Sequence, residues 1–549
     1  MPDDTAPHDA TALPDDTVLP DDPAWWRAAV FYQVYVRSFA DSDDDGVGDL
    51  AGLSARLDHL AWLGVDALWL SPVMPSPNAD WGYDVADYCA VLPEYGDMDD
   101  LDAVIAAAGR AGMRVLLDLV PNHTSDHHQW FVEARSSVDA DRRHWYVWAD
   151  PAPDGSPPNN WVGSFGGPAW TFDAASGQYY LHNFLPEQPD LNWWNDGVRH
   201  AFDDIVRFWW DRGVAGFRID VCNMMIKDAE LRDNPPATED DPFIMQMFGQ
   251  RPIYNGNRPE AHDILRRWRT ISGEYSPPRV LLGETNVDTL ENLAAYYGTG
   301  HDELHMGFNF PFIEAPFEAA ALADVVARTE ALLPAAAWPV WTGSNHDVSR
   351  LATRWCGGDP AKVRLALLML LTLRGTPVLY QGDEIGLTDR AFEKEELLDP
   401  VGLRFWPHYP GRDPERTPMP WDAGPNAGFT AAGVTPWLPL AQAPMNVADQ
   451  RADPGSVLHF VRDAIALRRA SPDLVAGDYR PAPVADGLWV FRRGATRVAL
   501  NMGAAAQDLT LGATPQAVAL STHRSHEGPV DDPVLRLDAW EGVVITTRG

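Results

Sequence analysis

Eight short apolar runs recur along the chain and constrain its fold more than any other feature. They are AVFYQVYV, ALWLSPV, RVLLDLV, GFRID, VLLGE, MGFNF, PVWTGS and TPVLYQG. Amphipathic stretches long enough for helices separate them, which is typical of a parallel sheet covered by helices. Eight such strands favour a closed (β/α)8 TIM barrel of the α/β class, although periodicity alone leaves an open doubly wound sheet as the alternative.

Two breaks in this alternation predict further domains. After the third run, residues 124–191 are loaded with Pro, Gly, Asn and Trp and lack helical periodicity, which predicts a loop-rich inserted domain. After the helical run SVLHFVRDAIALRRA, short alternating segments predict a C-terminal β-sandwich over residues 471–549. The barrel is then assigned to residues 25–123 and 192–470, and residues 1–24 to a disordered acidic tail.

The charge and composition restrict the partners of the chain. The formal net charge is -37, which repels nucleic acid and anionic membrane surfaces and favours a neutral or cationic small molecule as ligand. No apolar run approaches the roughly 18 residues of a membrane-spanning helix. The acidic tail is the opposite of a secretory signal, and the three cysteines lack the spacing of a zinc site or a disulfide framework. We therefore expect a cytoplasmic protein without nucleic-acid or membrane partners.

Acidic residues recur where the predicted strands end. Asp118 lies in the RVLLDLV run, Asp220 and Glu284 close two further runs, and Asp347 follows PVWTGS. In a barrel these ends form one ring on the active face, whereas a single acid there could equally be a helix cap or a surface charge. Close carboxylates repel one another, so at least one should keep a proton near neutral pH.

Such a ring suits the cleavage of glycosidic bonds. The leaving oxygen needs a proton and the oxocarbenium-like centre needs a carboxylate, so the reaction requires an acid and a carboxylate together. Arg218 lies two residues before Asp220 and thus on the same face of a strand. We expect its fixed positive charge to keep Asp220 ionised, the alternative being a purely structural ion pair.

Five motifs occur in the order and spacing of glycoside hydrolase family 13, and the chain resembles this α-amylase superfamily from about Trp25 to Gly549. They are DLVPNH, QPDLN, GFRID, GET and NHD. QPDLN and the later segment RTPMPW resemble the branch of α-glucosidases and oligo-1,6-glucosidases.

The resemblance implies a role for each residue that matches a motif. It makes Asp220 the covalent nucleophile, Glu284 the general acid/base and Asp347 the residue that stabilises the transition state and grips substrate hydroxyls. It also implies that His123 and His346 hydrogen-bond the sugar in the first subsite.

The segment GYDVADY matches further substrate contacts of the family. Tyr83 corresponds to a stacking tyrosine and Asp84 to an aspartate that binds the non-reducing glucose. The resemblance implies an ion pair between Asp84 and Arg412, with Arg416 as the alternative partner, and such a pair would close the pocket for exo-attack. Two aromatic residues of the predicted inserted domain are either apolar walls of that pocket or part of the domain's own core: Phe165 and Phe184.

The segment DSDDDGVGDL has the pattern of a calcium loop. Asp41, Asp43, Asp45 and Asp49 alternate with glycines that permit a tight turn, and Val47 offers a backbone carbonyl. An all-oxygen ligand set suits a hard cation, Ca²⁺ or alternatively Mg²⁺, and relatives carry a metal loop here. The other interpretation is an acidic surface turn. The metal would be structural, so no cofactor is expected for catalysis.

The sequence therefore predicts a retaining α-glucosidase that releases terminal α-glucose from short oligosaccharides by double displacement, with transfer to a sugar acceptor as a side reaction. The alternatives are an oligo-1,6-glucosidase, a sucrose or maltose isomerase or glucosyltransferase, and a non-catalytic sugar-binding barrel. Val221 follows the nucleophile where relatives with α-1,6 preference often carry Val. The adjoining CNMMIKD and the breaker-rich excursion over 223–269, which we expect to form a pocket wall, depart from the oligo-1,6-glucosidases. Cys222 is expected to pack behind the strand.

Overall fold

The structure is a computed structural model that describes residues 21–287, 289–441, 445–511 and 516–547, without the side chains of residues 243 and 244. Of the predicted tail, residues 1–20 lie outside the described residues.

The strands of the described ranges are β1 Phe31–Val34, β2 Ala67–Leu70, β3 Arg114–Leu119, β4 Trp148–Ala149, β5 Trp170–Asp173, β6 Gln178–Leu181, β7 Gly216–Ile219, β8 Val280–Gly283, β9 Met306–Gly307, β10 Val340–Trp341, β11 Thr376–Tyr380, β12 Tyr479–Pro481, β13 Leu488–Arg493, β14 Thr496–Asn501, β15 Gln507–Thr510, β16 Gln516–Ser521, β17 Gly528–Val530, β18 Val534–Leu537 and β19 Gly542–Thr547. The α-helices are α1 Leu50–Ala55, α2 Leu57–Leu63, α3 Met98–Arg110, α4 Gln129–Ser136, α5 Asp196–Asp211, α6 Phe243–Phe248, α7 Ala261–Ser272, α8 Leu290–Ala295, α9 Phe310–Glu314, α10 Ala319–Leu332, α11 Leu351–Arg354, α12 Pro360–Thr372, α13 Pro400–Phe405, α14 Val447–Ala452, α15 Val457–Ala470 and α16 Pro472–Ala476.

Eight parallel strands form a nearly closed barrel, in the order β10-β11-β1-β2-β3-β7-β8-β9. They are the eight runs that the sequence predicts, so the TIM-barrel prediction is confirmed. Side chains of each strand alternate between two cores. Phe31, Trp69 and Leu116 belong to the core inside the barrel, whereas Tyr32 and Leu68 pack in the core between the strands and the helices. This alternation points every second side chain along a strand toward the barrel axis.

The inserted segment after β3 carries a small antiparallel sheet of strand order β4-β6-β5. Its core contains Trp161 and Trp170, and Leu231 and Tyr254 of the excursion after β7 pack against that core. The Trp161 indole N–H also donates to the carbonyl of Arg232, at 2.8 Å. The excursion is therefore attached to the inserted segment, and both lie on the side of the barrel where the strands end.

The C-terminal strands form the predicted β-sandwich. One antiparallel sheet has the order β12-β13-β14-β19-β16-β17, and β15 pairs with β18 in a second sheet. The two sheets share one core, in which Val490 and Val543 of the first meet Leu509 and Leu537 of the second. Within the described ranges, none of the helices has the length and apolar character needed to cross a bilayer.

Candidate active site

Three carboxylates at the ends of adjacent barrel strands meet at one arginine. Arg218 of β7 lies with one terminal nitrogen 2.9 Å from Asp118 and 2.7 Å from Asp220, and its other terminal nitrogen is 2.8 Å from Glu284. The positions follow from the fold: Asp118 lies in β3, and Asp220 and Glu284 directly follow β7 and β8, which pair in parallel. Three of the four acids of the predicted ring therefore contact this guanidinium, and the fourth, Asp347, does not.

Arg218 favours the ionised form of Asp220, as expected from the sequence, but burial acts in the opposite direction. Burial is the largest effect on Asp220 and, together with the charges of Glu284 and Asp118, raises its pKa well above the usual range although Arg218 lowers it. Burial likewise raises the pKa of Asp118 to about 7. One cation among three buried carboxylates does not compensate them all, so the group retains a proton near neutral pH, as the predicted repulsion requires.

A strained residue lies between the two central carboxylates. Val221 has a φ of 32°, a left-handed conformation that is unfavourable for a β-branched residue and is retained mainly where its surroundings enforce it. Its backbone N–H donates to a Glu284 carboxylate oxygen at 2.9 Å. Cys222 is fully buried beside it, in the core between strands and helices, and its thiol lies 3.1 Å from the Glu284 carbonyl.

Asp347 has different surroundings from the other acids. It lies in the loop after β10, where Arg416 donates to its carboxylate at 2.7 Å and Arg412 lies 3.4 Å away. Burial alone would raise the pKa of Asp347, but its neighbour His346 and the two arginines outweigh burial and lower it. His346 contacts Tyr83 by a hydrogen bond and by ring stacking at 5.2 Å between centroids. Asp347 therefore stays ionised.

The predicted pairing of Asp84 is wrong. Arg412 donates to Asp80 at 2.6 Å and to Asp399 at 2.7 Å. Asp84 is fully buried and accepts hydrogen bonds from the Ser76 hydroxyl and from two backbone N–H groups of the preceding turn, those of residue 79 and Asp80. It therefore shapes the turn that presents Asp80, and Arg416, the alternative partner, is bound to Asp347 instead.

A cavity of about 240 Å³ opens above these groups. Phe165 and Phe184 of the inserted segment line it and contact each other edge to face, and Arg412 lies over the Phe165 ring at 5.0 Å. Both aromatic residues are thus walls of the pocket. The lining residues are Asp80, Tyr83, His123, Ser164, Phe165, Phe184, Asp220, Val221, Met224, Glu284, Asn286, Asp347 and Arg412.

The lining includes residues that the sequence does not predict, and three predicted substrate-binding residues, Asp84, Arg218 and His346, are not part of it. The lining residues that the sequence does not predict are Asp80, Ser164, Met224 and Asn286. Of these four, only Asp80 could have been selected from the sequence, because it is an acid three residues before the predicted substrate contact Tyr83. Met224 lies in the excursion after β7, in agreement with the expectation that this segment forms a pocket wall.

The predicted metal loop contains a compact acidic cluster. Carboxylate oxygens of Asp41, Asp43 and Asp49 lie within 4.8 Å of one another. Burial and the surrounding carboxylates raise the pKa of Asp43, so a cation in this loop would relieve repulsion. The Asp45 carboxylate lies outside that trio and accepts the backbone N–H of Val47 at 2.7 Å. The residues present fit a hard cation.

Comparison with known proteins identifies the family. Residues 33–477 match the α-amylase catalytic domain. The chain is 46% identical over 484 residues to a probable α-glucosidase of Rhizobium meliloti (strain 1021), which covers 85% of this chain and 87% of that protein. It is 38% identical over 492 residues to an oligo-1,6-glucosidase of Parageobacillus thermoglucosidasius, covering 83% and 85%.

Solved structures agree in fold along almost the whole chain. The α-glucosyl transfer enzyme XgtA matches with a TM-score of 0.89 at 42% identity, covering 95% of this chain and 99% of that one. A mutant of the trehalulose synthase MutB in complex with sucrose matches with a TM-score of 0.87 at 32% identity, covering 96% and 100%. The chain therefore belongs to the α-amylase family, glycoside hydrolase family 13, and is an enzyme of the α-glucosidase type.

Proposed function

We propose that the protein is a retaining α-glucosidase that removes a terminal α-glucose from short oligosaccharides and α-glucosides. The observation that carries this proposal is the position of Asp220 and Glu284, which bind the two terminal nitrogens of one guanidinium and line a small cavity. The ion pair between Arg412 and Asp80 and the two phenylalanines line the same cavity. A cavity of this kind suits one terminal sugar ring better than the middle of a polysaccharide.

The proposed reaction has two displacements. In the reactive form the proton of the carboxylate group is on Glu284 and Asp220 is ionised. Glu284 donates this proton to the glycosidic oxygen while an Asp220 oxygen forms a bond to the anomeric carbon, and the aglycone leaves as an alcohol. Glu284, now a carboxylate, then takes a proton from water, whose oxygen attacks the same carbon and releases Asp220. Each step inverts the anomeric centre, so the glucose has the α-configuration. Asp347 stays ionised throughout and accepts hydrogen bonds from sugar hydroxyls.

The decisive experiment replaces the nucleophile by its neutral isostere. D220N should lower kcat on an aryl α-glucoside by about 10⁴-fold or more, because no covalent bond to the anomeric carbon can form. Asp204, exposed on α5, provides the matched control, and D204N should keep the wild-type rate. A wild-type-like rate for D220N with an unchanged melting temperature would refute the assignment.

Two further measurements separate this proposal from its alternatives. NMR of the first product should show α-glucose before mutarotation, whereas an inverting enzyme gives β-glucose. In D220A, azide should attack the anomeric carbon from the side that Asp220 occupies in the wild type. The product of this single displacement is β-glucosyl azide. Wild-type protein that binds maltose and releases no glucose would instead favour a non-catalytic sugar-binding protein.

Glucosyl transfer or isomerisation is the second candidate, with the same catalytic carboxylates. The cavity wall beside the pair is apolar at Val221 and Met224, a surface that favours a sugar or alcohol acceptor over water, and XgtA and the trehalulose synthase MutB are among the similar structures. Product analysis on maltose, isomaltose and sucrose tests this: a new disaccharide that exceeds free glucose at low substrate concentration identifies a transferase, and free glucose identifies a hydrolase. The relative rates of consumption of maltose, isomaltose and sucrose give the linkage preference.

We also propose that the acidic loop binds a structural Ca²⁺, with Mg²⁺ as the competing ion. Asp41, Asp43 and Asp49 would provide carboxylate ligands and Val47 a backbone carbonyl, as the loop pattern suggests. The cation would neutralise repulsion within the loop and take no part in catalysis.

A further inference from the structure

His123 forms part of the cavity wall and is held from behind by a buried polar network. The residue follows β3, is buried, and makes an isolated antiparallel bridge to Asp190. The side-chain amide nitrogen of its neighbour Asn122 lies 3.0 Å from His123 Nδ1, and His123 Nε2 lies 2.9 Å from the carbonyl oxygen of Tyr83. The position of the imidazole proton depends on what these neighbours donate or accept.

A buried ion pair determines how the Asn122 amide is oriented. The Lys227 ammonium lies 2.8 Å from the Asp190 carboxylate and 2.6 Å from Asn122 Oδ1, and the three side chains are almost completely buried. An ammonium group can only donate, so the atom that it meets must be the amide oxygen. The Asp190 carboxylate can only accept, and it lies 3.2 Å from Asn122 Nδ2. If the amide were flipped, its NH₂ group would face the Lys227 ammonium, another donor, and its oxygen would face the Asp190 carboxylate, another acceptor.

This orientation fixes the imidazole proton by elimination. Asn122 Nδ2 donates to His123 Nδ1, so Nδ1 carries a lone pair, and in a neutral ring the proton is on Nε2. Burial lowers the pKa of His123, which keeps the ring neutral. The Nε2–H then donates to the Tyr83 carbonyl, whereas the other tautomer would put a lone pair against that oxygen. Gln188 Nε2, 3.1 Å away, directs its own N–H groups to Asp80 and to the same carbonyl.

We propose that the buried Lys227–Asp190 pair fixes His123 as the Nε2–H tautomer through the Asn122 amide, so that the ring donates to the Tyr83 carbonyl and holds Tyr83 in the cavity wall. Lys227 and Asp190 are thus positioning residues for substrate binding, beyond the connection they make between the inserted segment and the excursion after β7. The effect on substrate binding rests on the proposed function, whereas the assignment of the His123 tautomer does not.

NMR spectroscopy tests the tautomer without any substrate. In protein labelled with ¹⁵N-histidine, long-range ¹H–¹⁵N correlations distinguish Nε2–H from Nδ1–H, and the loss of one signal set in H123Q assigns His123. Wild-type protein should show the Nε2–H form. K227M/D190N removes both charges together, so that no buried charge is left unpaired, and should shift the ring toward the Nδ1–H form. An Nδ1–H ring in the wild type, or an unchanged ring in the double variant, would overturn the proposal.

A kinetic cycle separates positioning from a structural connection. K227M/D190N should lower kcat/KM on an aryl α-glucoside by about fivefold, the equivalent of one hydrogen bond. In an H123A background the same two substitutions should change kcat/KM by less than about twofold. Equal losses in both backgrounds would overturn the proposal, and K394M, at an exposed lysine, is the matched control. Wild-type protein inactive on every α-glucoside would refute the proposed function, while the NMR result would still decide the tautomer.

Discussion

The partner of Arg412 provides the sharpest test of the structure, because sequence and structure name different residues. The structure places Asp80 2.6 Å from the Arg412 guanidinium, while Asp84 accepts three hydrogen bonds from its own turn. We expect a large coupling energy between D80N and R412M and a much smaller one between D84N and R412M. Asp80 contacts Arg412 directly, whereas Asp84 acts on Arg412 only through the backbone N–H of Asp80.

The size of the coupling follows from the other partners of Arg412. Asp399 lies 2.7 Å and Asp347 3.4 Å from the same guanidinium, so removal of Asp80 leaves a cation that is still paired. The loss should then correspond to one hydrogen bond between charged groups, about 1.5–3 kcal/mol, rather than to an isolated buried charge. In kcat/KM this is roughly ten- to 150-fold. The substitution D84N leaves one backbone N–H without its acceptor and should cost about 1–3 kcal/mol of stability instead.

The assay is a pair of double-mutant cycles on kcat/KM for an aryl α-glucoside, with melting temperatures recorded for every variant. The cycle of Asp80 with Arg412 should give a coupling energy above about 1 kcal/mol, and the cycle of Asp84 with Arg412 one below about 0.5 kcal/mol. The reverse result would show that Asp84, and not Asp80, pairs with Arg412.

Three further predictions concern stability and the cavity. Burial raises the pKa of Asp383 to about 7 from an unfolded value of about 3.9, so its favourable contribution is complete below about pH 4 and is lost by about pH 7. The free energy of unfolding of D383N should therefore rise by about 4 kcal/mol relative to that of the wild type between about pH 4 and pH 7. The difference in melting temperature between the two proteins should increase with pH, and a constant difference would contradict this. Ca²⁺ at about 100 times its Kd should stabilise the wild type by about 2.7 kcal/mol and a chelator should reverse the effect; an equal response in D43N would exclude the acidic loop as the site. F165A removes the ring under Arg412 and should raise KM more than it lowers kcat, whereas an unchanged KM would show that Phe165 does not contact the substrate.

Much of the fold could be predicted because its signals are local. The eight barrel strands are short apolar runs, and acids such as Asp220 and Glu284 lie at their ends, where the geometry of a parallel sheet brings separate strands together. The family motifs then assign roles to those positions. None of these steps depends on the path of a loop.

The errors and omissions lie in loops. Whether Asp80 or Asp84 faces the cavity depends on a turn in which Trp81 has a φ of 48° and Gly82 one of 106°, and no periodicity encodes that path. Arg412 could be selected as a candidate but not paired, since its partners lie 332 and 13 residues away along the chain. Asn286 comes from a loop of the same irregular kind.

The distribution of arginines explains how similar carboxylates can have different roles in one cavity. Asp347 has His346 and two guanidinium groups as neighbours, which together outweigh burial and lower its pKa. Asp118, Asp220 and Glu284 share the single guanidinium of Arg218, and burial raises the pKa of the first two. A proton is therefore retained in the group that contains the proposed acid and is excluded from Asp347, the residue that we propose stabilises positive charge on the sugar. The number of arginine and histidine neighbours for each carboxylate thus separates a region that retains a proton from a region that stays anionic within the same site.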